Sequence, residues 1–85
     1  MKENLPLILR RLNQLNIRHE VHTFDSGAVM VDIWLNDLFY IIQIWKDQIG
    51  LSLVTKETSF DIIPDNSYSD FEIFKEDLER LLQQP

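Results

Sequence analysis

Two histidines, His19 and His22, are the side chains of this sequence best suited to bind a metal ion or to transfer protons near neutral pH. Both lie in the stretch 18–24, which we predict to be a β-strand polar enough to lie at an edge of the sheet. Successive side chains of a strand point to opposite faces, so residues three apart face opposite ways. We therefore predict that the two rings do not share a metal ion and are ordinary strand residues.

The motifs of common catalytic and cofactor sites are missing from the sequence. The chain has no cysteine for a nucleophile or a thiolate ligand, and its two glycines, Gly27 and Gly50, cannot build a phosphate-binding loop. No nucleophile elbow and no helical histidine pair occurs. Acidic residues such as Asp61 and Asp65 lack the spacing of a calcium loop. We predict a protein that is not an enzyme, with no catalytic residues, no cofactor and no metal site.

Asp32 is an unusual acid because it lies between Met30 and Trp34, in the middle of an apolar strand. A carboxylate buried there without a partner would cost considerable free energy. Either water reaches it on a half-open sheet face, or a cation from a partner meets it. Arg18 or Lys46 of a second copy of the chain is suited to the second role.

Length and composition indicate one small globular domain spanning residues 1–85. Hydrophobic residues make up 45% of the 85 residues and charged residues 26%, which is ordinary for a soluble fold. A core of this size is modest, so association with a partner would stabilise the chain appreciably. The apolar run near the N-terminus is short and no stretch approaches a membrane span, so we expect no membrane partner and a cytoplasmic location.

The net charge of −6 is unevenly distributed along the chain. Residues 1–18 carry four basic residues and one acid, whereas residues 57–79 carry eight acids and the single base Lys75. Nucleic-acid binding requires lysine and arginine to neutralise phosphates. The acidic C-terminal part therefore argues against a nucleic-acid partner.

The segment from Ala28 to Thr55 predicts three antiparallel strands joined by the dipeptide turns Asn36-Asp37 and Asp47-Gln48. The first turn pairs Leu35 with Leu38, Ile33 with Tyr40, Val31 with Ile42 and Val29 with Ile44. The second turn pairs Lys46 with Ile49, Ile44 with Leu51, Ile42 with Leu53 and Tyr40 with Thr55. Both turns place their apolar residues on the same sheet face, and that agreement supports the interpretation.

The strand 18–24 adds a fourth member to the sheet, but its register is open. A three-residue loop at 25–27 would place Val21 on the core face and set Glu20 opposite Asp32, an unfavourable pair of like charges. A two-residue loop, Ser26-Gly27, would instead place His22 and Phe24 in the core. We favour the two-residue loop slightly.

Two amphipathic helices flank the sheet. The first runs from about Leu5 to Leu15, capped by Asn4 at its start and by a left-handed Asn16 after its end. The second begins near Asp70 with a capping box of Ser69 and Glu72 and a hydrophobic contact between Tyr68 and Ile73. Its buried stripe consists of Phe71, Phe74, Leu78, Leu81 and Leu82. Before this helix, Phe60, Ile62 and Ile63 are expected to pack on the core, in a short strand that Pro64 ends.

The predicted fold is α+β: helix, four-stranded antiparallel meander, helix. Two helices of this length, side by side, cover about one face of such a sheet. With both on one face, the opposite face remains open and carries Met30, Asp32, Trp34, Phe39, Ile41 and Trp45. These residue types are enriched at the centres of protein interfaces. We predict a non-enzymatic interaction module whose partner is protein, most simply a second copy in a homodimer.

Three other interpretations are open. With one helix on each sheet face, the tryptophans would belong to an ordinary closed core. The acidic second helix instead favours an inhibitor or chaperone of a basic protein. A small apolar ligand could also bind between the sheet and residues 56–68, which would need a concave pocket.

Overall fold

A computed structural model describes residues 2–54 and 66–83, and in this part of the chain a helix, five strands and a helix follow one another. A 3₁₀ turn, Lys2–Asn4, leads into α1, and the bounds of the elements are α1 Leu5–Gln14, β1 Arg18–Thr23, β2 Val29–Leu35, β3 Leu38–Trp45, β4 Gln48–Val54, β5 Asn66–Tyr68 and α2 Phe71–Leu82. The strands form one antiparallel sheet in the order β1-β2-β3-β4-β5. The α+β class is confirmed.

A fifth strand, β5, extends the sheet beyond the four strands that the sequence predicts. Its three residues pair with β4, placing Tyr68 opposite Ile49 and Asn66 opposite Leu51. The strand is too short and too polar to show an alternating pattern, which is why sequence reasoning missed it. The strand expected from Phe60 to Ile63 lies outside the described residues.

The β2–β3 hairpin has the predicted register. Asn36 and Asp37 form its two-residue loop with φ angles of 52° and 64°, and Leu35 lies opposite Leu38. Positive φ at both loop residues is the geometry of a type I′ turn, whose twist matches that of the strands. All four predicted core pairs of this hairpin are present.

The β3–β4 hairpin differs from the prediction by a shift of two residues. Its loop is Lys46-Asp47 instead of Asp47-Gln48, with a φ of 53° at Lys46, so that Ile44 lies opposite Ile49. The observed turn removes the charged Lys46 from the end of the helix-covered face. Because a shift of two keeps every side chain on its face, the predicted faces are retained although the pairs changed.

The β1–β2 hairpin has the three-residue loop 25–27, so the slight preference for a two-residue loop was wrong. Gly27 closes the turn with a φ of 92°, and its N–H donates to the carbonyl of Phe24 (2.9 Å). Such a loop needs a left-handed residue at this position, which glycine supplies without a Cβ clash. His22 and Phe24 therefore lie exposed on the face away from the helices, not in the core.

Both helices pack on one face of the sheet and share a single core with it. The core consists of Ile8 and Leu12 of α1, alternate residues Val29, Val31, Ile33, Tyr40, Ile42, Ile44, Ile49 and Leu51 of the strands, and Phe74, Leu78 and Leu82 of α2. Strand β1 lies largely outside this cover, since even Val21, on the helix side, is 39% exposed. The arrangement with one helix on each sheet face is thereby excluded.

Of the three predicted helix caps, the structure confirms one and corrects two. After α1, Asn16 adopts a φ of 56° and Ile17 N–H donates to the carbonyl of Leu12 (2.9 Å), which completes the predicted Schellman motif. Asn4 makes no side-chain cap, because it continues the 3₁₀ turn with helical backbone angles. At α2 the cap is Asp70, whose carboxylate accepts from Glu72 N–H (2.9 Å), instead of Ser69.

Because the cap of α2 is Asp70 instead of Ser69, Tyr68 makes a different contact from the predicted one. The ring packs edge-on against Phe74, with centroids 5.6 Å apart, whereas Ile73 points to solvent. The Tyr68 hydroxyl also donates to Oδ2 of Asp77 (2.5 Å). Tyr68 therefore ties β5 to α2 through a ring contact and a charge-assisted hydrogen bond.

A two-bonded ion pair joins α1 to α2. Arg11 Nε and Nη2 donate to the two carboxylate oxygens of Glu79, at 2.7 and 3.0 Å. The guanidinium lowers the pKa of Glu79 below its ordinary value of 4.5, chiefly through these hydrogen bonds. The basic N-terminal segment and the acidic C-terminal helix thus attract each other within one chain.

We expect this pair to give a pH-dependent part of the stability. Because the folded-state pKa of Glu79 is depressed, the stabilisation is complete above the unfolded value and is lost as pH falls through the lower folded value. Wild type should therefore exceed Glu79→Gln in free energy of unfolding near neutral pH, and the two should converge in acid. Urea unfolding from about pH 7 to about pH 3 checks this. Glu76→Gln, at an exposed position nearby on α2, is the control variant. A difference between wild type and Glu79→Gln that persists in acid would contradict the assignment.

Candidate interaction face

The sheet face turned away from the helices, here called the tryptophan face, is the candidate functional surface. Antiparallel pairing arranges it in rows that run across β1, β2, β3 and β4: Arg18, Trp34, Phe39 and Val54; Glu20, Asp32, Ile41 and Ser52; His22, Met30, Gln43 and Gly50. Beyond the last row, Trp45 pairs with Gln48. An antiparallel sheet with a solvated face ordinarily carries polar residues there, and this face is more apolar than that.

One edge of the tryptophan face is an aromatic stack with a cation over it. Trp34 and Phe39 are cross-strand partners whose rings stack at 5.2 Å and 21°. The Arg18 guanidinium carbon lies 4.7 Å from the centroid of the Trp34 ring. The predicted Trp34 and Phe39 contact is therefore present, and the arginine adds a cation–π interaction that holds the indole in place.

The other edge carries the more exposed of the two tryptophans. Trp45 is 44% exposed, and Lys46 Nζ lies 5.3 Å from its ring centroid. The predicted Asp47-Gln48 turn would set Gly50 across from Trp45, but the shifted register places Gln48 there. A shallow groove of about 250 Å³ lies beside the ring, lined by Phe24, Ala28, Val29, Met30, Gln43, Ile44 and Trp45.

The middle of the face is already buried within the single chain. Ile41 is 6% exposed and Ser52, its cross-strand partner, 2%. Ile41 therefore offers a partner little surface, unlike Trp45. The apolar surface open to a partner is concentrated at the two edges.

A charged cluster occupies the β1–β2 side of the face. His22 Nε2 lies 2.9 Å from Oδ2 of Asp32 and 3.8 Å from Oε2 of Glu20. His22 Nε2 thus lies near both of the carboxylates that the register sets opposite each other, closer to Asp32 than to Glu20. Asp32 thus has a polar neighbour in its own chain.

The structure also places the other residues named for chemistry. His19 points away from His22, and its Nδ1 lies 2.8 Å from the carbonyl oxygen of Ile17. Arg18 and Lys46, expected to meet Asp32 across an interface, each lie over a tryptophan ring of their own chain. Sequence reasoning missed both cation–π pairs and the cluster of Glu20, His22 and Asp32. The register that follows from a three-residue loop at 25–27 could have revealed the cluster.

A second groove, of about 140 Å³, lies between the helices. Its apolar part includes Leu7 and Phe71, and Arg10, Lys75 and the Arg11–Glu79 pair lie around it. Pockets for small ligands typically measure about 300–1,000 Å³, so this groove is small for such a ligand. None of the helices in the described part of the chain is both long and apolar enough to cross a membrane.

No protein-family model, no curated protein and no solved structure matches this chain.

Proposed function

We propose that this chain is a non-enzymatic interaction module that pairs with a second copy of itself through the tryptophan face. The observation that carries the proposal is the position of both helices on one side of the sheet, which leaves Trp34, Phe39 and Trp45 at the surface of the other side. Large apolar surfaces on small proteins commonly mark interaction sites. Indole rings held by a stack and by cations provide rigid contact area at a low entropic cost.

Charge distribution favours a second copy as the occupant. The tryptophan face carries cations, Arg18 and Lys46, and anions, Glu20 and Asp32. A two-fold interface places the same surface on both sides, so a face with both signs can be complementary to itself.

The dimensions of the face indicate a weak dimer. Four strands about 4.8 Å apart and about seven residues long give a face of roughly 19 by 23 Å. That area, roughly 440 Å², is about half of the roughly 800 Å² per partner that standard specific interfaces bury. We expect dissociation on the order of micromolar concentration, within the range of sedimentation measurements.

Sedimentation over a roughly hundredfold concentration range tests the proposal. We expect a monomer–dimer equilibrium for wild type, and folded monomers for Trp34→Glu and Trp45→Glu, because each substitution removes the apolar area of an indole and places a charge that the interface would have to desolvate. Trp45 is the safer variant because its side chain is half exposed in the single chain. Ile73→Glu, on the exposed side of α2, is the matched control and should dimerise like wild type. A wild-type monomer at every concentration, or a Trp45→Glu dimer of unchanged affinity, would overturn the proposal.

Salt separates this proposal from its main alternative, a basic protein partner steered by the acidic helix. Two copies that each carry a charge of −6 repel each other, so added salt should strengthen self-association. Attraction between an acidic helix and a basic partner should weaken with salt instead. Part of the acidic helix is already paired within the chain, Glu79 with Arg11 and Asp77 with Arg80. This internal pairing favours self-association over a basic partner.

A further inference from the structure

We propose that Glu20, His22 and Asp32 form a binding site for one divalent transition-metal ion, and that Zn²⁺ is the ion that fits it best. The donor atoms of the three side chains all lie within 4.8 Å of one another. Among the described residues, 2–54 and 66–83, this is the group of three potential ligands that converges in this way. The site belongs to a single chain, so it does not depend on self-association.

The sheet itself brings the three ligands together. Antiparallel pairing sets Glu20 directly opposite Asp32, and His22 follows Glu20 by two residues, on the same face of β1. Backbone hydrogen bonds between the strands fix the positions of the three Cα atoms. Metal binding therefore needs only small side-chain rotations, which is the condition for a preformed site.

The two measured distances bracket those between neighbouring ligands of a small metal ion. Zinc bonds to nitrogen and oxygen measure about 2.0–2.2 Å, which separates adjacent ligand atoms by about 3 to 3.5 Å. His22 Nε2 is 2.9 Å from Asp32 and 3.8 Å from Glu20. An ion bound at Nε2 leaves the ring proton on Nδ1.

The ligand types select the class of metal. One imidazole nitrogen with two carboxylates suits zinc and its first-row neighbours, whereas magnesium and calcium prefer oxygen ligands alone. The two carboxylates face each other across β1 and β2, and the side chain of Asp32 is only 15% exposed, so water stabilises its charge poorly. A divalent cation would offset both charges. With three protein ligands, a position remains open towards solvent, as in zinc sites that bind water.

Calorimetric titration of the purified chain with ZnCl₂ tests the site. We expect one Zn²⁺ per chain, no binding of MgCl₂ under the same conditions, and an affinity lower by at least about tenfold in His22→Gln and in Asp32→Asn. His19→Gln is the matched control, because it removes the other histidine and should bind like wild type. Circular dichroism of each variant establishes that it is folded.

Co²⁺ provides an independent measurement that reports on the ligands. A Co²⁺ ion that takes the place of zinc and has few ligands should give visible absorption bands. These bands should be lost in His22→Gln and kept in His19→Gln. Zinc binding that both His22→Gln and Asp32→Asn leave unchanged would overturn the assignment and show adventitious binding elsewhere. Failure of wild type to bind Zn²⁺ at up to about millimolar concentration would overturn the site altogether.

Discussion

Replacing Phe74 with alanine should lower the free energy of unfolding by about 3–5 kcal/mol. Phe74 is fully buried and lies where α2 meets the sheet, with its ring 5.6 Å from that of Tyr68 and 6.0 Å from that of Phe71. The substitution removes the apolar area of the ring and leaves a cavity that its neighbours fill only partly. Because small domains are stable by only about 5–15 kcal/mol, this loss is a large share of the total, and the variant should unfold at a much lower urea concentration than wild type.

The control for this loss is Ile73→Ala, one residue earlier on the same helix. Ile73 is 53% exposed, so its truncation should change stability by less than about 1 kcal/mol. Urea unfolding followed by circular dichroism measures both variants. Equal losses would mean that α2 is rotated about its axis relative to the arrangement described above.

Ile42→Ala should cost about 2–5 kcal/mol, the second large effect. Ile42 is fully buried on the middle strand, between Val31 of β2 and Leu51 of β4, beneath the helices. Truncation there opens a cavity at the centre of the core, where backbone pairing on both sides prevents the strand from moving to fill it.

Val21→Ala is the matched comparison, because Val21 lies on the same face but on β1, outside the cover of the helices. Its 39% exposure predicts a loss below about 1 kcal/mol. The same unfolding experiment distinguishes the two substitutions. A loss at Val21 as large as that at Ile42 would contradict the exposed position of β1.

The faces of the elements could be predicted from the sequence more securely than their pairing. Alternation correctly assigned the strand residues to the two sheet faces, and a register shift of two residues in the β3–β4 hairpin left that assignment intact. The shift itself was unpredictable, since neither Lys46-Asp47 nor Asp47-Gln48 has the glycine that would select one loop. For β1, the like charges of Glu20 and Asp32 argued for the wrong loop, because the position of His22 near both carboxylates is visible only in three dimensions.

For the tryptophan face, too, the sequence predicted which residues share the face but not all of the contacts that they make. The open face and the contact between Trp34 and Phe39 follow from periodicity and from one turn. The positions of Arg18 and Lys46 over the indoles depend on rotamers that a sequence pattern does not encode. Burial of Ile41 beneath its own chain was also beyond the pattern, because alternation assigns a residue to a face without telling how deeply that face is covered.

The order β1-β2-β3-β4-β5 has a consequence for how the chain folds. Every strand in the described part of the chain pairs with its neighbour in sequence, and the first three hairpins close over loops of two or three residues, so most of the sheet can grow by successive short closures. Low contact order of this kind favours rapid folding. The distant event is the meeting of α1 with α2, which brings Arg11 to Glu79 across almost the whole length of the chain. We therefore expect hairpin formation to precede this docking, with the two helices completing the hydrophobic core last.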